Sequence, residues 1–136
     1  MRNFSIGLLI IGVCFFGLFF YRTSLQGVDA VGEFGGVSLM VEYAITDTQK
    51  EKGLSGRESI SSDYGMLFVF PKDDLYGFWM KDMLISIDMF WLDDKGQVVS
   101  IAESVTPLSY PNVFYSSVPA RYVLETVSGF AHEHNI

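Results

Sequence analysis

The sequence predicts a mainly β protein: an antiparallel β-sandwich or jelly-roll-like domain, or a partly open barrel, with one short helix. Short apolar segments of strand length are separated by turns rich in Gly, Pro and Asp. Only one short segment carries the capping residues of a helix start. Aromatic residues make up 15% of the chain, which is enough bulk for the core of a small β domain.

An uncharged apolar run precedes this domain and predicts an N-terminal transmembrane helix or signal sequence. Phe4 to Tyr21 contains no charged residue, and such a run is long enough to cross a membrane as a helix. The positions of Arg2 and Arg22 favour an extracytoplasmic domain. A signal peptide is the alternative, because Ala30 lies in a segment suited to cleavage and the protein would then be secreted.

These features divide the chain into three parts. Residues 1–22 are the membrane anchor or signal peptide, residues 23–36 are a Gly-rich linker, and residues 37–136 are the β domain. From residue 31 onward there are 7 basic residues (9 less Arg2 and Arg22) and 15 acidic residues (16 less Asp29). Such an acidic domain has no general attraction to nucleic acid. The expected partners are the membrane, through the apolar N-terminal run, and a small polar ligand; a protein partner is left open.

The first elements follow from capping and alternation. Val37 to Ile45 alternates as a strand does. Thr46 and Gln49 form a capping pair ahead of a short helix over 50–54, which Gly53 ends. Tyr64 to Phe70 is apolar on both faces, as a central strand is.

The remaining elements are separated by turns. Residues 71–74 predict a turn, and residues 75–83 and 85–92 predict two strands. Asp93 to Gly96 is a hairpin signal that leads into a strand over 97–105. The last predicted features are a long ordered loop over 106–117, a strand over 120–127 and a helical turn over 128–134.

Four motifs occur in one order along the chain: GMLFVF (65–70), FWMK (78–81), an isolated Asp88 in IDMFWLD, and ARYVLE (120–125) followed by Gly129. This pattern resembles the bacterial and archaeal family called domain of unknown function 192, over residues 37–136. The resemblance implies a compact, mainly antiparallel β domain that is often secreted or anchored, and it brings no established activity.

The family pattern also bears on single positions. Its Arg after a Gly-Leu pair is matched by Arg57. The family usually places Asn-Thr after FWMK, where this chain has Asp82-Met83, so a ligand site there would be changed. The family also commonly adds a Gly-Asp-containing strand beyond the position of Ile136, so we expect a sheet edge that is open or differently covered.

Asp88 is the leading candidate for a functional residue, because a carboxylate within an apolar strand is costly unless it is paired. Alternation places it with Phe90 and Leu92 on one face. It could bind a ligand or act as a general base, or it could hold a loop by accepting backbone N–H groups. Arg57 could pair with Asp88, bind an anionic ligand, or only fix its own loop.

Trp79 and Lys81 share a strand face, so they could stack on a sugar or planar ring and place a charge beside it. Core packing is the alternative for Trp79. Arg121 and Glu125 also share a face and predict a surface or interface pair. His132 and His134, without other His or Cys ligands nearby, do not make a metal site, and no cofactor motif is present.

The candidate ligand-binding residues are therefore Arg57, Trp79, Lys81 and Asp88, with catalytic residues unassigned and no metal or cofactor expected. The sequence favours a membrane-tethered module that binds a carbohydrate or a carboxylate. A cell-envelope structural or protein-interaction domain is the first alternative. An enzyme that uses Asp88 as a general acid or base is the second.

Overall fold

A computed structural model describes residues 29–136, which contain eight strands, two short α-helices and one 3₁₀ turn at Pro107–Ser109. The strands and helices are, in chain order, β1 (Ala30–Phe34), β2 (Val37–Ala44), α1 (Asp47–Lys52), β3 (Tyr64–Asp74), β4 (Phe78–Trp79), β5 (Ile87–Leu92), β6 (Val98–Val105), β7 (Val113–Phe114), β8 (Ala120–Val127) and α2 (Phe130–His134). The anchor or signal predicted over 1–22 lies outside the described residues. Neither α-helix within 29–136 has the length and apolar character that a membrane crossing requires.

Six strands form a mixed sheet in the order β1-β2-β3-β8-β5-β6, and β4 pairs with β7 in a separate two-stranded sheet. The mainly β fold is as predicted, but the predicted antiparallel sheet is a mixed one, because β2 and β3 run parallel. Parallel neighbours need a crossover connection, and residues 45–63 provide it with α1. Among residues 29–136 the sheet does not close into a barrel.

Four further predictions differ from the structure. Part of the predicted linker forms β1, which pairs with β2 through a turn at Gly35 and Gly36, where φ is +58° and +78°. The predicted turn over 71–74 is instead the irregular end of β3, whose pairing with β8 is interrupted between Val69 and Asp74. Of the strand predicted over 75–83, only Phe78–Trp79 forms a paired strand. The helical turn predicted over 128–134 is a second helix, α2.

The capping pair, by contrast, is confirmed. The Thr46 hydroxyl accepts the Gln49 N–H, and the Gln49 side chain accepts the Thr46 N–H, so both helix-start donors are satisfied. Gly53 ends the helix with φ of +48°, as predicted. This helix has no buried residue, so its position depends on its caps and on the chain that follows it.

The two faces of the six-stranded sheet bury different clusters. The α2 face carries Leu67, Phe90 and Leu124 against Phe130 and Ala131 of α2. The opposite face carries Phe68, Met89, Trp91 and Val123, and it is covered by Leu54, Met80 and Met83 from the loops. Burying each large apolar side chain contributes about 1.5–3 kcal/mol, so the clusters on both faces of the sheet contribute to the stability of the fold. The alternation predicted for Asp88, Phe90 and Leu92 is confirmed, since Phe90 and Leu92 pack on the α2 face.

Candidate functional site

Asp88 is fully buried and bonded entirely to backbone donors among the described residues. Its Oδ1 accepts the N–H of Ser104 at 2.7 Å and that of Gly129 at 3.2 Å. Its Oδ2 accepts the N–H of Ala131 at 2.9 Å. The carboxylate therefore joins β5 to the end of β6 and to the first turn of α2, which is the loop-holding role that the sequence left open.

A β-bulge explains why a carboxylate is placed there. Ile87 pairs with Val105 but Met89 pairs with Ala102, so β6 has an extra residue opposite Asp88. The bulged Ser104 has φ of +51°, and its N–H is directed to the Asp88 carboxylate. Because Asp88 is buried and its oxygens are occupied, this arrangement offers no group to a substrate.

Arg57 pairs with Glu42 rather than with Asp88. Its Nη2 lies 2.9 and 3.0 Å from the two carboxylate oxygens of Glu42, and its Nη1 donates to the Tyr64 hydroxyl at 2.9 Å. The Tyr64 hydroxyl also donates to Glu42. Burial, together with the Glu42 hydrogen bond, raises the pKa of Tyr64, so its phenol stays protonated. The cluster fixes the loop after α1 to β2 and β3.

We expect this cluster to contribute modestly to stability, because the Arg57 and Glu42 side chains are each about one-third exposed. A double-mutant cycle of Arg57→Met and Glu42→Gln, measured by urea unfolding, should give a coupling of about 0.5–1 kcal/mol. The exposed pair Lys72 and Asp74 is the matched control and should give a coupling near zero. Equal couplings for the two pairs would contradict a fastening role for Arg57.

A cleft of about 490 Å³ opens on the face of the six-stranded sheet that α2 does not cover. It lies between the α1 crossover and the segment that follows β3. One wall is formed by residues 50–55 of the crossover, and the other by residues 76–79 and 81–83. Phe68 and Phe70 of β3 and Glu125 of β8 also line the cleft. The lining therefore combines aromatic surface with charged groups, which is typical of a small-molecule site.

Trp79 and Lys81 lie together at this cleft. The Trp79 side chain is 50% exposed, and the Lys81 Nζ lies 5.7 Å from the centre of its ring system. Tyr110 contacts Trp79 edge-on, with ring centroids 5.8 Å apart. Trp79 is thus not a core residue, and its free surface is available for stacking. Of the four predicted site residues, the structure brings these two to the cleft; Arg57 and Asp88 do not line it.

Glu125 is the residue at this cleft that the sequence interpretation missed. Its side chain is 5% exposed, and no described residue forms a hydrogen bond or ion pair with its carboxyl group. Across the sheet it is in register with Met66 and Met89. Burial raises the pKa of the Glu125 carboxyl to about 8, so it is mostly uncharged at neutral pH.

The predicted pair of Arg121 and Glu125 does not form. Arg121 lies at the start of β8 and binds Asp73 instead, with Nε to Oδ1 at 2.6 Å. The signal for Glu125 was present in the sequence, since it is a carboxylate inside the apolar strand YVLETV. This is the same signal that singled out Asp88. Only the strand order shows that Glu125 is covered on both sides, by β3 and β5.

Exposed apolar residues border the cleft on the β4–β7 sheet. Val113 pairs with Trp79 across this sheet, and Tyr115 follows β7. A Cβ at Gly77 would come within 2.6 Å of the Tyr115 ring and 2.7 Å of the Val113 side chain, so glycine allows this close packing. Trp79, Tyr110, Val113 and Tyr115 together are named the rim cluster, and all four are exposed.

The comparisons with known proteins agree with the motifs. The crystal structure of a protein from Sinorhizobium meliloti, described as a candidate transcription regulator, is 32% identical, with a TM-score of 0.70 over 73% of this chain and 76% of that chain. A protein of unknown function from Novosphingobium aromaticivorans is 24% identical, with a TM-score of 0.73 over 86% of both chains, and shows a similar fold. No curated protein matches the sequence significantly. The model of domain of unknown function 192, described as Uncharacterized ACR, matches residues 30–136, and the chain therefore belongs to this family.

Proposed function

We propose that this protein is a membrane-tethered, extracytoplasmic module that binds a small polar ligand, a carbohydrate or a carboxylate, in the cleft beside Trp79. The apolar sequence over 4–21 supports the tether. The domain is sandwich-like in this proposal, with the β4–β7 sheet and the loops forming a second layer over the six-stranded sheet.

One observation carries the proposal: a buried carboxyl group without a partner among the described residues lines a cleft that also has a half-exposed tryptophan. A buried polar group without a hydrogen bond costs about 1–3 kcal/mol, so a protein retains one where it is used. A ligand with ring C–H groups and hydroxyl or carboxylate oxygens would cover Trp79 and satisfy Glu125. Both carbohydrates and ring-bearing acids have this chemistry.

Indole N–H signals in an NMR spectrum of the full-length protein test this proposal, because the chain has only two tryptophans. Trp91 is buried and donates its indole N–H to the Tyr76 carbonyl at 3.0 Å, whereas Trp79 is half-exposed. We expect a screen of sugars and organic acids to find compounds that shift the Trp79 signal most. Trp79→Ala lacks this signal, so its binding is measured by isothermal titration calorimetry; the substitution should weaken binding about tenfold, with little loss of stability.

Leu108→Ala is the control for this experiment, since Leu108 is 94% exposed and does not line the cleft. It should leave binding unchanged. If no compound of either class shifts the Trp79 signal, or if Trp79→Ala and Leu108→Ala bind a found ligand equally well, the cleft is not the binding site.

A protein-interaction domain is the second candidate, and the rim cluster favours it, because exposed aromatic surface is typical of protein contacts. Tyr115→Ser would then weaken capture of the partner without changing ligand-induced shifts at Trp79. DNA binding does not enter the proposal, although one similar structure is described as a candidate regulator. A formal net charge of −7 gives this chain no general attraction to phosphates.

A further inference from the structure

Glu125 raises the question of which ligand chemistry the cleft accepts. An ionised carboxylate in this position would attract a cation, and the aromatic walls would support it. An uncharged carboxyl group would instead act as both donor and acceptor of hydrogen bonds. The other charged groups of the cleft distinguish these two cases.

The cleft has a positive balance in an acidic protein. Three lysines face it against two exposed carboxylates, apart from Glu125: Lys50, Lys52 and Lys81 against Glu51 and Asp82. The whole chain has a formal net charge of −7. A local excess of ammonium groups on an otherwise acidic surface favours an anionic ligand at this point.

The aromatic faces that a ligand cation would need are already close to the protein's own cations. The Lys50 Nζ lies 4.8 Å from the centre of the Phe70 ring, and the Lys81 Nζ lies 5.7 Å from that of Trp79. A second cation on either face would be repelled by the lysine. A ligand anion would instead be attracted to these ammonium groups.

We infer that the cleft binds a small organic carboxylate, and that Glu125 is the specificity-determining residue that donates a hydrogen bond to the carboxylate of the ligand. This inference rests on the proposed ligand-binding function and narrows its ligand class. The Glu125 O–H has no other acceptor among the described residues, and a ligand carboxylate supplies one. A hydrogen bond to a charged acceptor is stronger than one between neutral groups, particularly in a site with little water.

Three probes of one ring skeleton test the charge preference: glucuronate, glucose and glucosamine, which are anionic, neutral and cationic at about pH 6. Their binding to the full-length protein is measured from the Trp79 indole signal. We expect glucuronate to bind at least about tenfold more tightly than glucose, because a charged hydrogen bond is gained. Glucosamine should bind most weakly. A preference for glucosamine, or no binding of glucuronate, would overturn the inference.

Two substitutions then test the donor itself. Glu125→Met removes the donor while filling the space, and should reduce the preference for glucuronate over glucose about tenfold, to the part that the three lysines supply. Glu125→Gln keeps an N–H donor that does not titrate. In the natural protein, glucuronate affinity should fall about tenfold between about pH 6 and pH 9 as Glu125 ionises, because the donor is lost and a repelling charge appears. In Glu125→Gln this pH dependence should disappear.

The other charged groups that face Glu125 are unchanged in Glu125→Gln, so this variant separates their titration from that of Glu125. They are Lys50, Glu51 and Lys52 from α1, and Tyr76, Lys81 and Asp82 from the opposite wall. Glu103→Gln, an exposed change on β6, is the matched control and should behave as the natural protein. An equal pH dependence in Glu125→Gln and the natural protein would overturn the inference. A screened ligand that depends on Trp79 but not on Glu125 would also overturn it, and would leave the proposed function standing.

Discussion

Asp88→Asn should lower the free energy of unfolding by about 2–4 kcal/mol, because a buried carboxylate that accepts backbone N–H groups becomes an amide. In the natural protein, Oδ1 accepts the N–H groups of Ser104 and Gly129, and Oδ2 accepts that of Ala131. An asparagine has only one acceptor oxygen, so its NH₂ group would face one of these donors and leave it unsatisfied. Urea unfolding of the full-length protein measures the loss.

Hydrogen exchange locates the effect of this substitution. The amides of Ser104, Gly129 and Ala131 should lose protection in Asp88→Asn more than those in the centre of β3. Asp94→Asn, an exposed change in the hairpin turn, is the control and should alter stability by less than about 0.5 kcal/mol. A folded and equally stable Asp88→Asn protein that no longer binds ligand would instead assign Asp88 to the binding site.

Glu125→Gln should stabilise the protein at alkaline pH by on the order of 3–5 kcal/mol and have little effect near pH 4. The cause is that burial raises the pKa of the Glu125 carboxyl from 4.5 to about 8. Between these values the folded state holds a proton that the unfolded state has released. The natural protein therefore loses stability as pH rises from about 4.5 to about 8, and the loss is constant above that range.

The effect is measured as the difference in melting temperature between the natural protein and Glu125→Gln, because the contributions of the other titrating groups then cancel. The melting temperatures of the natural protein and Glu125→Gln should diverge as pH rises and remain parallel above about pH 9. Glu103→Gln should show no such divergence, since Glu103 is exposed. If the melting temperature of Glu125→Gln follows that of the natural protein at all pH values, the Glu125 carboxyl group is hydrated. That result would contradict its burial at the cleft.

Much of the fold could be predicted from local patterns. Alternation predicted β2, a continuous apolar run predicted β3, and apolar segments between turn signals predicted β5, β6 and β8. The Thr46–Gln49 pair predicted the start of α1. All of these signals depend on neighbours along the chain. The strand β1 was missed because its Gly32 and the following glycines resemble a linker. The parallel pairing of β2 and β3 depends on a crossover that no local pattern shows.

The site was predictable only in part, for a similar reason. Trp79 and Lys81 are two residues apart, so their proximity could be predicted from the sequence, although Lys81 lies in a turn after β4 and not on the strand face that alternation predicted. The partners of Arg57 and Asp88 come from distant segments, and a sequence shows that a buried charge needs a partner but not which one. Glu125 required the knowledge that β8, the last strand, lies between β3 and β5.

The crossover between β2 and β3 has a consequence for how members of this family can diverge. The walls of the cleft come mostly from connections, the crossover over 45–63 and the segment after β3, which contains the two-residue strand β4, whereas Glu125 belongs to a central strand. Insertions and substitutions in connections are tolerated far better than changes in a paired strand. Under the proposed ligand-binding function, the walls can therefore change during evolution, and with them the size and shape of the ligand, while the central strand stays constant. In that proposal, a single scaffold supplies a series of binding proteins that differ in selectivity and share one fold.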